Sequence, residues 1–327
     1  MADVDRGQLL IVGALTFAVM LVALAMLLNT AIYTGTVATR DTGTGASEAI
    51  EYQGEAETMA AETMATLSTR EGESYSELQG NFTDTVDAWS ETGDVHVSAA
   101  LAHGTVEPQG DPARGTLIDQ SSDREFTDAD TDSNWTVANE TAGRGFSMNV
   151  SQDSLEEPDD DFWDGIFGEE EAPNYFHVNF TDGSEVYQVY IIRDADDSVT
   201  DDVTVNVSHD GSSVGDACSV EADNDRTVVD LTGAEVGGTH CESLETLFEE
   251  LDDSYTIEYR NGESARGTYS TVVDRPIDQL ETGADTDGED QPTATRALFD
   301  AELELTYRSD GVFYRTDLRI APGAADD

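Results

Sequence analysis

The chain has 327 residues, 70 acidic side chains against 15 basic ones and a net charge of −55, and every basic residue is Arg. That balance leaves nothing to neutralise phosphates and excludes nucleic acid as a partner. Apolar residues still make up 38%, with 11 Phe, 11 Tyr and 3 Trp, which excludes a solvating acidic tail and indicates a folded domain with an acidic surface. At molar salt the screening length is about 3 Å, so such self-repulsion largely vanishes; the composition is that of a protein from high-salt cells.

In chain order, a polar head at 1–7 runs into an uncharged apolar stretch, Leu9–Leu28, about the length needed to cross a bilayer as a helix. Gln8–Arg40 therefore reads as one continuous transmembrane helix, with Ala14, Ala18, Val22 and Ala25 near one face. After a Gly/Thr break, Ser47–Ser68 reads as a helix, with Ile50, Gln53, Ala56, Ala60, Met64 and Leu67 at intervals of three or four. Ser74 and Glu77 form a capping box that opens a second helix, whose stripe is Tyr75, Leu78, Phe82, Val86 and Trp89.

From about Val95 the pattern becomes β. Short β-branched or aromatic runs predict strands at Arg144–Val150, Tyr175–Phe180, Val186–Ile192, Val203–Val207, Thr227–Leu231, Tyr255–Tyr259 and Tyr269–Val273. Turn chemistry at Asp182-Gly183 predicts a hairpin, and Asp310-Gly311 joins two alternating strands near the C-terminus. Cys241–Leu251 reads as a short helix. Two acidic segments, 156–173 and 281–295, read as loops, the second as a solvated Gly/Asp/Thr linker.

The expected class is α+β: a long N-terminal transmembrane helix, two further helices, and a mainly antiparallel extracellular head. The expected divisions are a cytoplasmic leader (1–7), the membrane helix (8–40), a helical stalk (41–93) and a β-rich domain (94–327).

No catalytic constellation appears. The five His, at 96, 103, 177, 209 and 240, form no HExxH-like array, and no G-x-S-x-G elbow or Gly-rich phosphate loop is present. Asp128, Asp130 and Asp132 begin like a calcium loop, but Ser133 stands where Gly is needed and Asn139 where a bidentate Glu is needed. Asp285, Asp287, Gly288 and Glu289 fall short in the same way. The expectation is a non-enzyme without metal or cofactor. The acidic–aromatic loop offers Phe162, Trp163 and Phe167 as a contact patch, or these side chains tuck back onto the sheet.

Two signals place the head outside the cell. Six of the ten Asn open Asn-x-Ser/Thr sequons: Asn81, Asn134, Asn139, Asn149, Asn179 and Asn206. The chain has two Cys, Cys218 and Cys241, most simply a disulfide worth about 3 kcal/mol. Two buried thiols, or half a metal site with His240, are the alternatives.

The N-terminal residues Asp5-Arg6-Gly7-Gln8, followed by the long apolar stretch, resemble archaeal type IV pilin-like proteins with class III signal peptides. The run from Arg6 to Arg40 is similar to that of uncharacterised pilin-like haloarchaeal surface proteins. The resemblance implies a prepilin peptidase cut between Gly7 and Gln8, with Arg6, Gly7 and Gln8 as the processing site. It also implies the lipid bilayer and other pilin-like subunits as partners, and a single-pass location with the N-terminus inside the cell. Val12 stands where many bacterial pilins carry an assembly Glu, no Pro-rich start follows, and the head is long for a major pilin. These departures turn the expectation toward a minor or accessory surface protein, in filament assembly or adhesion. The alternatives are an unprocessed single-span adhesion protein and an exported enzyme or solute-binding protein.

Overall fold

The computed structural model describes residues 45–70, 72–99, 102–157, 175–194, 202–221, 225–252, 254–286 and 290–324. The Gln8–Arg40 segment and the 158–174 stretch lie outside them.

Helix α1 covers residues 45–68 and α2 covers Tyr75–Ala99. Strands β1 (His103–Pro108), β2 (Arg114–Glu125), β3 (Trp135–Thr141) and β4 (Gly143–Ser151) follow. Next come β5 (His177–Asp182), β6 (Glu185–Asp194), β7 (Asp202–His209), β8 (Ser212–Ser213) and β9 (Cys218–Glu221). Then β10 (Arg226–Asp230), β11 (Glu235–Val236) and β12 (Thr239–His240) lead into α3 (Glu242–Glu250). The chain finishes with β13 (Tyr255–Arg260), β14 (Arg266–Val273), β15 (Thr293–Leu298), β16 (Ala301–Ser309) and β17 (Val312–Ile320).

This corrects the α+β expectation. Strands take 46% of the structure against three helices, and among the described residues no helix is long and apolar enough to cross a membrane. The physical reason is charge: α2 spans 25 residues but carries Glu77, Asp84, Asp87 and Glu91 on its exposed side. The helix also runs through Val95, where the sequence pattern suggested strands. The capping box forms as expected, with the Ser74 N–H donating to Glu77 Oε2 (2.8 Å) and Glu77 N–H to Ser74 Oγ (3.4 Å). In α1 the buried stripe is Ala49, Tyr52, Ala56, Ala60, Met64 and Leu67. Ile50 is 67% exposed, so the expected stripe is out of register in its first turn.

The described residues divide into two compact units. The smaller takes residues up to Ala56 with those of Ser90–Val106 and Leu305–Thr316. Its centre is Tyr52, whose ring lies 6.0 Å from that of Tyr307. Tyr307 Oη donates to Glu48 (2.9 Å) and Tyr314 Oη to Gln53 (2.5 Å). Gly104 lies against the Tyr52 ring so closely that any side chain there would collide with it.

The larger unit holds Glu57–Trp89, Glu107–Glu304 and the residues from Asp317 onward. Its body is a sandwich of two sheets. Sheet I has the order β12-β11-β10-β4-β14-β2-β15; sheet II has the order β3-β13-β5-β6-β7-β8, with β9 also on β7. Every pairing within these two sheets is antiparallel. A third sheet runs β1-β16-β17.

The sandwich core comes from the period-two alternation the sequence displays. Phe146, Met148 and Val150 of β4 face Phe180 of β5, Tyr259 of β13, and Val203, Val205 and Val207 of β7 in one cluster. Tyr259 is its hub: its ring lies 5.2 to 6.4 Å from those of Phe126, Trp135, Phe146, Phe176 and Tyr269. Arg144 is buried too, and donates to the carbonyls of Phe299 (2.5 Å), Pro322 (2.6 Å) and Leu298 (2.8 Å). Desolvation lowers its pKa to about 10, against the pull of Asp300.

The expected solvated linker at 281–295 is described at 281–286 and 290–295, where Glu281, Thr286 and Asp290 are exposed and 293–295 already belong to β15. Ala284 packs in the sandwich core, and the segment's main chain is hydrogen-bonded to two strands. The segment thus keeps exposed acidic side chains while its main-chain groups at Gly283 and Asp285 are paired with strands.

Candidate functional site

Three places in the larger unit concentrate polar chemistry. The first joins the two calcium-like sequences. Ala129 N donates to Gly283 O (3.2 Å), which brings residues 127–132 against residues 282–286. Asp128, Asp130, Asp285 and Asp290 line an open cavity of about 410 Å³ there. Two of these carboxylates are already engaged: Asp128 Oδ1 accepts from Asp132 N (2.7 Å) and Asp285 Oδ2 from Asp290 N (2.8 Å). Among the described residues no group of three or more His, Cys, Asp or Glu converges in a way that could hold a metal ion. What this corner does is mechanical. Gly283 N donates to Thr136 O of β3 (2.9 Å), and Ala294 N of β15 donates to Asp285 O (2.8 Å). One segment therefore makes a main-chain hydrogen bond to the terminal strand of each sheet at the same end of the sandwich.

The second place is the opposite end, where Cys218 of β9 and Cys241, directly after β12, form a disulfide with Cα atoms 5.7 Å apart. Cys241 is fully buried, and Ser243 Oγ lies 3.4 Å from its sulfur. The bridge settles the choice among the sequence alternatives. His240 points instead to Glu245, at 3.3 Å, with both side chains more than half exposed.

The third place is the outer face of sheet II. Register puts His177, Tyr190 and Asn206 in one row across β5, β6 and β7, and Asn179, Gln188 and Ser208 in the next. Outward positions of a sandwich are normally wet, yet His177, Asn179, Tyr190, Thr204, Asn206 and Ser208 are all buried. The His177 ring lies 4.6 Å from that of Tyr190, and its Nδ1 is 3.0 Å from Tyr175 O. Desolvation lowers the His177 pKa to about 4; the Tyr175 hydrogen bond opposes the shift and the Arg260 charge adds to it. Among the described residues, Asn179 Oδ1, Asn206 Oδ1 and Ser208 Oγ are buried without a hydrogen-bond partner. Each such atom costs about 1–3 kcal/mol, so this face sacrifices stability. Nothing in the sequence marked it, because alternation predicts only which residues turn inward.

The six sequons separate clearly. Asn206 is 2% exposed and donates to Ser213 Oγ (3.1 Å); Asn179 is 9% exposed. Asn149, Asn139 and Asn81 are half-buried. Asn139 Nδ2 donates to Glu281 (3.2 Å) and Asn81 Nδ2 to Glu73 (3.1 Å). Asn134 alone of the six is exposed. The processing residues Arg6, Gly7 and Gln8 and the contact patch Phe162, Trp163 and Phe167 lie outside the described residues.

No curated protein and no solved structure matches this chain. Residues 3–153, less than half of it, match a family described as "Family of unknown function (DUF7261)".

Proposed function

We propose that the chain is a non-catalytic, pilin-like surface protein of a halophilic archaeon, minor or accessory in any filament, with its β-sandwich displayed outside the cell. The observation that carries the reading is the Arg6-Gly7-Gln8 junction standing directly before the apolar stretch Leu9–Leu28, which would hold the chain at the membrane. The Cys218–Cys241 bridge supports an oxidising compartment. The −55 charge supports a home in brine, where the screening length is about 3 Å.

The test is the mature N-terminus, read by mass spectrometry of membranes and shed surface material. A start at Gln8 that Gly7→Leu abolishes supports prepilin-type processing. A start at Met1 or Ala2 leaves an unprocessed surface protein, and a start near Thr39 removes the pilin-like reading.

A further inference from the structure

We infer that Asn134 is the glycan acceptor of this protein, and that Asn179 and Asn206 carry none in the folded chain. The inference rests on the export reading above and adds to it which sequon the fold leaves usable. Folding must leave a modified amide in solvent, because a sugar cannot be buried without opening the strand around it.

Asn206 lies in the middle strand of the β6-β7-β9 pairing, with its Nδ2 engaged by Ser213. Asn179 lies between β13 and β6 in the same sheet. Asn139 is held through both ends of its amide, since Oδ1 also accepts from Thr256 Oγ1 (2.8 Å). Asn149 has its Oδ1 buried on sheet I. Asn81 is tied to Glu73.

Asn134 differs on each count. It sits on a bend directly before β3, the terminal strand of sheet II. Its Oδ1 accepts from Asn261 N (3.0 Å), in the turn where Asn261 adopts a φ of 54°. That bond fixes the amide by its oxygen, and among the described residues Nδ2 of this exposed residue has no partner. Trp135, the middle sequon residue, is buried with Nε1 donating to Phe126 O (2.9 Å), so the sequon cannot adopt a new conformation once folded. Transfer therefore precedes closure of the sandwich, and the fold tolerates its product at Asn134.

The donor is a lipid-linked oligosaccharide phosphate. Nδ2 forms a bond to the anomeric carbon as the bond from that carbon to the phosphate oxygen breaks. The lipid phosphate leaves with the electron pair, and the Nδ2 proton passes to a base of the transferase.

The full chain, produced in a halophilic archaeon, is digested and its sequon peptides weighed, while intact cells are shaved with external protease. The expected result is an Asn134 peptide carrying sugar mass in most molecules, with unmodified Asn179 and Asn206. Asn134→Gln and, independently, Thr136→Ala should each remove that mass; the second leaves the Asn261 contact in place. An unmodified Asn134, or sugar on Asn179 or Asn206, overturns the inference. Protease shaving separates the two readings: a chain cleaved from outside with a bare Asn134 keeps export and loses only the acceptor, and an uncleaved one loses both.

Discussion

The two sheets share one interior and differ on their outer faces. On sheet I, Ser147, Asn149, Thr268, Ser270 and Asp230 stand half-exposed, as polar residues on a solvated sandwich face should. On sheet II the equivalent positions are equally polar and nearly dry, down to Ser208 at 0% exposure. Polarity of a residue thus reports its side of a sheet and says nothing of whether that side meets water. More of the cost falls on sheet II: among the described residues its outer face holds three buried oxygens without a hydrogen-bond partner, against one, Asn149 Oδ1, on the outer face of sheet I, and it holds a histidine that resists protonation.

The largest effect should come from what the sheets share. Tyr259→Ala removes the ring on which five aromatic neighbours converge and should cost about 3–5 kcal/mol in urea unfolding at molar salt. A loss under 1 kcal/mol would mean the two sheets do not depend on a common core. Replacing both cysteines by Ser should cost about 3 kcal/mol, since the bridge joins β9 of sheet II to the end of β12 of sheet I. Comparing reduced and oxidised wild type gives the same number if the effect is the bridge itself.

Acid should then distinguish the outer faces. With a folded pKa of about 4 against 6.5 when unfolded, His177 is neutral in the fold and takes a proton on unfolding. Its contribution is fully present above about pH 6.5 and is lost as pH falls toward 4, by about 3 kcal/mol. The gap between wild type and His177→Gln should shrink across that window, and a constant gap would contradict the buried neutral ring. The smallest effect belongs to sheet I: Ser270→Ala on its outer face should change stability by less than about 0.5 kcal/mol. Salt bears on the whole molecule, and the melting temperature should fall steeply from molar to dilute salt.

Local chemistry was the legible part of the fold. The Ser74–Glu77 box, the Gly183 and Gly311 turns and the alternating strands β4, β5, β6, β7 and β14 all rest on neighbours in sequence. β2 was not legible: its stretch Asp119-Gln120-Ser121-Ser122-Asp123 breaks the apolar rhythm, and pairing with β14 and β15 holds it extended. The Asp128 and Asp285 segments stand far apart in sequence, and each by itself is an incomplete calcium-like pattern. Their meeting depends on backbone hydrogen bonds across more than 150 residues, which no local pattern records.

The ends of the sandwich decide how it can meet its own copies. A sheet margin with bare amides invites a strand from a neighbour, the route by which β-rich chains grow into fibres at high concentration. Here one margin ends in β12, two residues long, another in the short strands β8 and β9, and the other two each take one main-chain hydrogen bond from the segment around Gly283 and Asp285. At the two-residue strands β8 and β12 little ladder remains for a second molecule to extend. If these heads crowd together along a filament or across a cell surface, contacts at the β8 and β12 margins should run through side chains and stay separable.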